Sequence, residues 1–222
     1  KFKIVGFPDA YFLAWTTTPW TLPGNVALAV GPEIIYVEAK VGNEILVLAK
    51  ERLSIIKEPY EIIAEHTGAE MVGMQYEPIF SFVKDESGKA FKVYPADFVT
   101  TTDGTGMVHT AVMYGQEDFD LGTKVGLPKV HLVSPDATFM QGTGWLEGRS
   151  VIDPELAVDI LKDLKERGLL FDKENYTHSY PFCWRCKTRL IYYARDSWYI
   201  RMSELRDKLV KENEKINWEP EY

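Results

Sequence analysis

The sequence predicts an α+β fold, predominantly β, in which short strands curve into a closed or nearly closed barrel with a few helices around it. Segments rich in aromatic and β-branched residues recur across residues 1–135 with turn residues between them, which is typical of small barrels. Apolar residues at helical spacing are confined to a few short segments. The composition, 45% hydrophobic and 26% charged over 222 residues, is that of a globular chain with an ordinary core.

The predicted strands share an enrichment in residues that favour a pleated, half-buried surface. They are Lys1–Val5, Tyr11–Thr18, Ile34–Val41, Glu44–Ala49, Tyr60–Ala64, Pro78–Val83, Ala90–Tyr94 and Met107–Val112. Gly42 and Asn43 both tolerate positive φ, so they predict a tight hairpin between the third and fourth of these strands. The polar segment Asp85–Gly88 predicts a second turn.

Three helices are predicted around this β body. Asp153 offers an N-cap and Pro154 a first helical residue, and apolar residues then follow at helical spacing until Gly168. A shorter helix is predicted from Gln116 to Val125, where Gly126 ends it. A third helix begins at Ser203 and carries leucines at helical spacing.

The last part of the chain differs in composition from the rest, which predicts two units. Residues 1–172 form the barrel, and residues 173–222 form an aromatic and basic β-ribbon or stalk followed by a helix. Residues 1–160 carry 12 Lys and Arg against 22 Asp and Glu, whereas residues 161–222 carry 13 against 11. Any contact with a polyanion is therefore expected near the C-terminal end.

Several functional classes are disfavoured by motifs that the sequence lacks. No apolar run is long enough to span a membrane, and residues 1–10 do not resemble a signal peptide. Two cysteines indicate a reducing compartment, so we expect a cytoplasmic protein without a membrane partner. A phosphate-binding Gly-Lys-Ser/Thr loop, a Gly-x-Ser-x-Gly elbow and a His-Glu-x-x-His helix are all missing. The chain lacks a start methionine, which we interpret as a sign that it is part of a longer protein.

The first candidate motif is the threonine-rich segment Trp15–Asn25. Hydroxyl side chains at residues 16, 17, 18 and 21 surround Pro19, which ends a central strand because it has no N–H to donate. Such a bend can turn several hydroxyls toward one pocket. The alternative is that threonine is simply a good strand residue and that the prolines mark a sheet edge.

The second candidate motif runs from Asp97 to Asp118. Gly104 and Gly106 permit a tight turn and the close approach of a ligand to the backbone, and His109 lies in the strand that follows. Asp118 falls in the first turn of the predicted helix, where the helix dipole should keep its carboxylate ionised and able to bind an ammonium group. A plain β-turn, a structural histidine and a helix-capping acid are the alternatives.

The third candidate motif is Cys183-Trp-Arg-Cys186. Two thiolates at this spacing form half of a tetrahedral zinc site, since zinc takes four ligands. A redox pair would begin a helix after a strand, and this pair instead lies in the aromatic ribbon. Half a metal site and two plain cysteines both remain open on these grounds.

Together these motifs resemble the inserted editing (CP1) domain of class I aminoacyl-tRNA synthetases, most closely that of the isoleucyl branch. Trp15–Asn25 matches the threonine-rich element of the family, where leucyl and valyl relatives typically carry Arg-Pro-Glu-Thr. Thr101–His109 matches the second editing element, with Asp118 as the acid of its Gly-x-x-Asp tail. Tyr180–Thr188 and Ser197–Ile200 resemble the stretch that leads back to the catalytic body.

Two departures from the family pattern are visible. Ala111–Tyr114 stands where the family usually has Ala-Pro, so the loop that approaches Asp118 is expected to differ in shape. Arg189 stands where proline is common, and this change concerns only the ribbon. The signatures of the synthetic half of such enzymes are missing, so we expect no amino-acid activation by these residues.

The resemblance implies an editing-domain β-barrel that hydrolyses mischarged valyl-tRNA(Ile) and also valyl-adenylate. The implied partners are the 3′ acceptor end of tRNA(Ile) carrying valine, valyl-adenylate and the catalytic domain of the same synthetase. Editing of this kind needs no cofactor, and we expect a monomer. Cys183 and Cys186 would be half of a zinc site whose other cysteine pair lies outside this chain, so zinc is implied only for the full-length enzyme.

The resemblance also implies roles for individual residues. Asp118 would pair with the α-ammonium group of the substrate. Thr17, Thr18 and Thr21 would hydrogen-bond the ester, the terminal ribose and a hydrolytic water. His109 would line the pocket for the amino-acid side chain. The remaining residues expected at the substrate are Thr16, Trp20 and Gly104.

Three alternatives stay open at this point. A passive RNA-binding module would use the basic ribbon and bind tRNA with a salt-dependent affinity but without hydrolysis. A structural zinc ribbon would depend on the cysteines and unfold with a chelator. An editing domain of the leucyl or valyl type would differ in the amino acid that it releases.

Overall fold

The structure is a computed structural model that describes residues 1–177 and 179–219. The strands are β1 (Phe2–Lys3), β2 (Ala10–Phe12), β3 (Ala27–Val30), β4 (Ile35–Val41), β5 (Glu44–Ala49), β6 (Glu61–Thr67), β7 (Lys92–Pro95) and β8 (Met107–Thr110). The α-helices are α1 (Gly68–Met71), α2 (Gln116–Val125), α3 (Pro154–Glu166) and α4 (Met202–Asn213). Short 3₁₀ turns cover Pro19–Gly24, Lys50–Ile55 and Gly144–Leu146.

The strands form two mixed sheets. The larger sheet has the order β1-β2-β5-β4-β6, in which only the β2–β5 pair is parallel. The smaller sheet has the order β7-β3-β8, with β3 parallel to β7 and antiparallel to β8. β3 is therefore the central strand of the smaller sheet, and all four of its residues are buried.

Single bridges connect the edges of the two sheets. Ile4 pairs with Tyr76, Gln75 pairs with Lys92, and Trp15 pairs with Val108. The ladders of the described residues form two sheets and not one continuous barrel, so the closed barrel stays a prediction. Mixed sheets with peripheral helices are what the structure establishes.

Helix α3 packs against the 3₁₀ turn Pro19–Gly24 and so supports the threonine-rich segment from behind. Its N-terminus forms as predicted, because Asp153 Oδ1 accepts a hydrogen bond from Glu155 N at 3.0 Å. Leu156 and Ile160 lie on its buried face and are fully enclosed. Burial of each such side chain contributes about 1.5–3 kcal/mol to the free energy of unfolding.

Several predicted strands are shorter than expected or missing. The strand predicted over 11–18 ends at Phe12, because the Thr16 hydroxyl accepts a hydrogen bond from Thr18 N and turns the chain before Pro19. The segment Pro78–Val83 makes bends and not a strand. Its apolar side chains fill the core instead, and the rings of Phe80 and Phe82 stack 5.6 Å apart.

The predicted C-terminal β-ribbon is not observed in the described part of residues 173–219. One bridge, between Phe182 and Arg189, is its only β-pairing, and α4 follows as predicted. Most of the aromatic side chains described there are exposed, so no packed layer holds a second strand in place. The division at residue 172/173 stays a prediction, and residues 178 and 220–222 lie outside the description.

The C-terminal segment nevertheless contacts the preceding part of the chain at two places. The ring of Tyr176 meets that of Trp15 edge to face at 4.9 Å, and Tyr193 stacks on His131 at 4.3 Å. Ala194 N donates to Met113 O at 2.9 Å. Within 1–177 and 179–219, no helix combines the length and apolarity required to span a bilayer.

Candidate functional site

The threonine-rich segment is folded by its own hydroxyl groups. Thr16 Oγ1 accepts from Thr18 N at 3.0 Å, and Thr18 O accepts from both the backbone N (3.0 Å) and the hydroxyl (2.9 Å) of Thr21. These bonds replace a sheet ladder and produce the 3₁₀ turn that starts at Pro19. The threonines consequently differ in exposure: Thr17 is exposed, Thr16 and Thr18 are half-buried, and Thr21 is buried.

A chain of buried hydrogen bonds runs inward from this segment through His109. Thr21 Oγ1 lies 2.8 Å from His109 Nε2, and Asn25 Nδ2 lies 3.4 Å from His109 Nδ1. Asn25 Oδ1 accepts from Tyr76 Oη at 2.6 Å. In the sequence, Asn25 is only the last residue of the threonine-rich motif, and no pattern indicates Tyr76. Their contact could not be predicted because it joins distant segments.

The direction of this chain fixes the tautomer of His109. The Thr21 hydroxyl donates its single proton to Thr18 O, so it accepts from Nε2, which must carry the imidazole proton. Nδ1 is then the acceptor for Asn25. Burial lowers the pKa of His109 to about 4, so the ring is neutral at physiological pH. In this state His109 is a hydrogen-bond donor that orients Thr21.

Asp118 lies in the first turn of α2, as predicted, but its electrostatic environment differs from the prediction. Its Oδ2 accepts from Ala111 N at 3.0 Å. Burial raises the pKa of Asp118 to about 6, and neighbouring Glu117 acts in the same direction, against the hydrogen bond from Ala111. Desolvation thus outweighs the helix N-terminus, and the pKa is raised where the sequence alone indicated only the stabilising effect of the helix on the carboxylate. At pH 7 the carboxylate is still mostly ionised.

Strand β8 and the residue after it contact both motifs. The side chain of His109 contacts the threonine segment through Thr21, and the backbone N of Ala111, two residues further, donates to Asp118. Both motifs are therefore bonded to the chain within residues 109–111. Residues 111–114 then turn, with Tyr114 N donating to Ala111 O at 2.9 Å, and this turn leads into α2.

A cavity of about 270 Å³ lies beside this network. The lining residues that belong to the two motifs are Trp15, Thr16, Thr17, Pro19, Leu22, Gly104 and Thr105. Leu161 and Leu164 of α3 and residues 169–174 and 176 also line it. The predicted site residues that are not among the described residues lining the cavity are Thr18, Trp20, Thr21, His109 and Asp118.

The predicted site residues are therefore divided between a cavity and the polar network beside it. Thr16, Thr17 and Gly104 line the cavity, whereas Thr21 and His109 are buried behind it. Trp20 is also buried, and its ring meets that of Tyr114 edge to face at 5.1 Å. The ring hydroxyl of Tyr114 in turn accepts from two backbone N–H groups, at residues 132 and 133.

Gly104 and Gly106 both adopt positive φ, as the predicted tight turn requires. A Cβ on Gly104 would lie 3.0 Å from Trp15 Cβ, and one on Gly106 would lie 2.3 Å from Ala49 Cβ. The loop is therefore packed closely between the threonine segment and the end of β5.

The cysteine pair lies in one exposed turn away from this region. Cys183 N donates to Thr188 O at 2.8 Å, and Lys187 N donates to Cys183 O at 2.9 Å. Hydrogen bonds from Thr188 lower the pKa of Cys186 to about 7. Two thiols on one turn fit half of a tetrahedral zinc site. No cluster of three or more metal-binding side chains is present in residues 1–177 and 179–219.

Comparisons with known proteins agree with the motifs. The family described as "tRNA synthetases class I (I, L, M and V)" matches residues 16–222. An isoleucine–tRNA ligase of Clostridium acetobutylicum is 48% identical over 100% of this chain and 21% of its own length. One of Bacillus thuringiensis is 42% identical over the same shares. The chain thus spans about a fifth of the length of these relatives.

A solved structure shares the fold. The crystal structure of GlLeuRS-CP1 matches with a TM-score of 0.60, covering 75% of this chain and 85% of that chain at 14% sequence identity. At this identity the likeness concerns the architecture of the two sheets and their helices.

We expect Thr21→Val to destabilise the protein by about 1–3 kcal/mol, because it leaves the Nε2 proton of His109 buried without an acceptor. Urea denaturation measures the free energy of unfolding. Thr110→Val is the matched control, since the Thr110 hydroxyl is buried in β8 without a hydrogen-bond partner among the described residues. The control should be neutral or stabilising; equal losses for the two variants would contradict the proposed network.

We expect the 222-residue chain to bind zinc weakly, because Cys183 and Cys186 supply two of the four ligands that zinc requires. Metal analysis after dialysis against zinc, with a Cys183→Ser/Cys186→Ser variant as control, measures this. Tight stoichiometric zinc that the double variant loses, together with unfolding by a chelator, would contradict the expectation.

Proposed function

The chain belongs to the class I tRNA synthetases (I, L, M and V), and from this membership we propose that it is the proofreading domain of an isoleucine–tRNA ligase. Its reaction is the hydrolysis of valine from mischarged tRNA(Ile), and of valyl-adenylate. The observation that carries the proposal is that the threonine segment and Asp118 are both hydrogen-bonded to the end of β8, at His109 and at Ala111.

The need for such an activity follows from the chemistry of the two amino acids. A pocket that accepts isoleucine cannot strongly reject valine, because one missing methylene costs only about 1–3 kcal/mol of binding free energy. Isoleucine–tRNA ligases are the best-known case of this limited discrimination, which they overcome with a second, hydrolytic site. That site must admit valine and exclude isoleucine by size.

The cavity supports a site for the acceptor end. Its lining includes Thr16 and Thr17 of the threonine segment and Gly104 and Thr105 of the glycine loop. Thr17 and Thr18 are proposed to hold the ester, the terminal ribose and the attacking water, with Thr16 and the backbone at Gly104 beside them. Thr21 is proposed to act with them through its contact with His109.

Asp118 is proposed to bind the α-ammonium group, which valyl-tRNA and valyl-adenylate share. A half-buried carboxylate with one backbone donor retains lone pairs for a second partner. Desolvation also makes its attraction for an ammonium group stronger than it would be in water. His109 and Trp20, which are packed behind the threonines, are proposed to set the size limit of the side-chain pocket.

The proposed mechanism uses a positioned water and no covalent intermediate. The candidate residues do not include an activated nucleophile, and His109 is neutral with its proton already donated to Thr21. Orientation of the water and ester therefore supplies much of the rate. The free hydroxyl next to the ester on the terminal ribose is proposed to relay the proton: it accepts one from the attacking water and gives its own to the ribose oxygen that leaves as the ester bond breaks.

The remaining partner is the rest of the ligase, in the cytoplasm. Large apolar side chains are exposed along the C-terminal segment, including Trp184, Trp198, Tyr199 and Ile200. A free surface of this kind is typical of an interface. We propose that the catalytic domain covers it, while the editing reaction itself needs no cofactor.

We expect Asp118→Ala to abolish release of valine from valyl-tRNA(Ile) because the α-ammonium group loses its partner. Asp120→Ala is the matched control: Asp120 lies in the same helix, is exposed, and accepts only from Gln116. The measurement is deacylation of valyl- and isoleucyl-charged tRNA(Ile). Retained activity in Asp118→Ala, with unchanged circular dichroism, would refute the role of Asp118.

A second prediction concerns pH. Because the folded-state pKa of Asp118 is raised to about 6, deacylation should fall as pH drops through 6 and the carboxyl gains a proton. The same pKa shift links stability to pH. Its contribution to the free energy of unfolding is fully present below pH 3.8, where the carboxyl is protonated in both states, and is lost as pH rises through 6, where the buried carboxyl ionises. Asp118→Asn should therefore unfold at an equal or higher temperature than the wild type at pH 7.5 while being inactive. A clear drop in Tm would contradict the pKa assignment.

A further inference from the structure

Arg52 bonds to the glycine loop, here residues 101–106, which forms one wall of the cavity. It lies half-buried in the 3₁₀ turn Lys50–Ile55 that follows β5. Its Nε donates to Gly104 O at 2.8 Å, and its Nη1 donates to Thr102 O at 3.2 Å. The rigid fork of one guanidinium thus joins two carbonyls of the loop.

Residues in and around this turn bond to the glycine loop at further points. Ala49 N donates to Thr105 O at 2.9 Å, and the Thr101 hydroxyl donates to the Glu51 carboxylate. Tyr36 Oη, from β4, donates to Gly106 O at 2.5 Å. Gly104 and Thr105 are the loop residues that line the cavity, and of these donors Arg52 is the one that bonds to the carbonyl of Gly104.

The opposite side of the glycine loop touches the threonine segment. A Cβ on Gly104 would lie 3.0 Å from Trp15 Cβ, so the loop backbone is already in contact with Trp15. Trp15, Thr16 and Thr17 line the same cavity as Gly104 and Thr105. A shift of the loop away from Trp15 would therefore change the shape of the cavity where the two segments meet.

We propose that Arg52 is a positioning residue that sets the size limit of the cavity by holding the glycine loop against Trp15. The inference rests on the proposed function, since a size limit matters to a site that admits valine and excludes isoleucine. Two residues of the loop, Gly104 and Gly106, adopt positive φ and carry no side chain, so the loop has little stiffness of its own. Its position depends on the bonds at its carbonyls.

The first experiment measures specificity in the complete protein that carries this sequence. Arg52→Ala should lower kcat/KM for valyl-tRNA(Ile) about tenfold, because the ester is held less well. It should also raise kcat/KM for isoleucyl-tRNA(Ile). The ratio of kcat/KM for valyl-tRNA(Ile) to that for isoleucyl-tRNA(Ile) should therefore fall by more than tenfold. Arg52→Lys keeps the charge and one donor, and should recover part of the ratio.

Lys50→Ala is the matched control. Lys50 lies in the same 3₁₀ turn and carries the same charge, but its ammonium pairs with Glu65 at 2.6 Å and not with the loop. It should retain both rates and the ratio. A general loss of stability in Arg52→Ala would lower the hydrolysis of valyl- and isoleucyl-tRNA(Ile) by the same factor and leave their ratio unchanged. A valine-to-isoleucine ratio equal to that of Lys50→Ala would therefore overturn the inference.

The second experiment does not depend on editing activity. Hydrogen exchange of peptides that cover residues 101–108 should be about tenfold faster in Arg52→Ala than in Lys50→Ala, because two carbonyl contacts of the loop are lost. Equal exchange in the two variants would refute the inference even if the wild type proved inactive. An inactive wild type with faster exchange in Arg52→Ala would instead refute the proposed function and leave Arg52 as the clamp of the loop.

Discussion

The hydrogen bond between Thr21 Oγ1 and His109 Nε2 joins segments 88 residues apart, and the arrangement of both polar motifs depends on it. Because the bond is buried, neither group can be left without its partner at low cost. The bond holds the 3₁₀ turn at Pro19 against β8, and it requires a neutral imidazole with its proton on Nε2. The ring therefore serves as a fixed donor and not as a base.

This constraint explains why the site separates into two layers. The inner layer is fully paired, from Tyr76 through Asn25 and His109 to Thr21. The outer layer consists of hydroxyls and loop backbone that face the cavity. Asp118, which is bonded to the backbone just after β8, combines one hydrogen bond with burial, and burial is unfavourable for a charge unless a cation is bound.

Local signals predicted a good part of the fold. Helices α2 and α3 were predicted within one or two residues, because Gly126 and Asp153 act through their immediate neighbours. The hairpin at Gly42 was predicted for the same reason. The pairing of β3 with β7 and β8 was not predicted, since it joins distant segments. The composition of the segment 78–83 predicts a strand, because a coil that fills the core and a buried strand have similar composition.

The candidate site was predictable in its residues and less so in its electrostatics. The motifs identified the threonines, the histidine and the acid, but not how each would be buried. The dipole of α2 acts through sequence neighbours, whereas the desolvation of Asp118 comes from the whole fold and raises its pKa to about 6. Asn25, Tyr76 and Arg52 were missed because their contacts cross the chain.

The long separation of Thr21 from His109 also has a consequence during synthesis on the ribosome. At about 5–20 residues per second, the histidine is made roughly 4–18 seconds after the threonine. Throughout that interval the threonine segment has neither its buried partner nor strand β8 beside it. The segments made first therefore cannot complete this part of the core until the second motif has been synthesised, so its folding cannot finish on the residues before β8 alone.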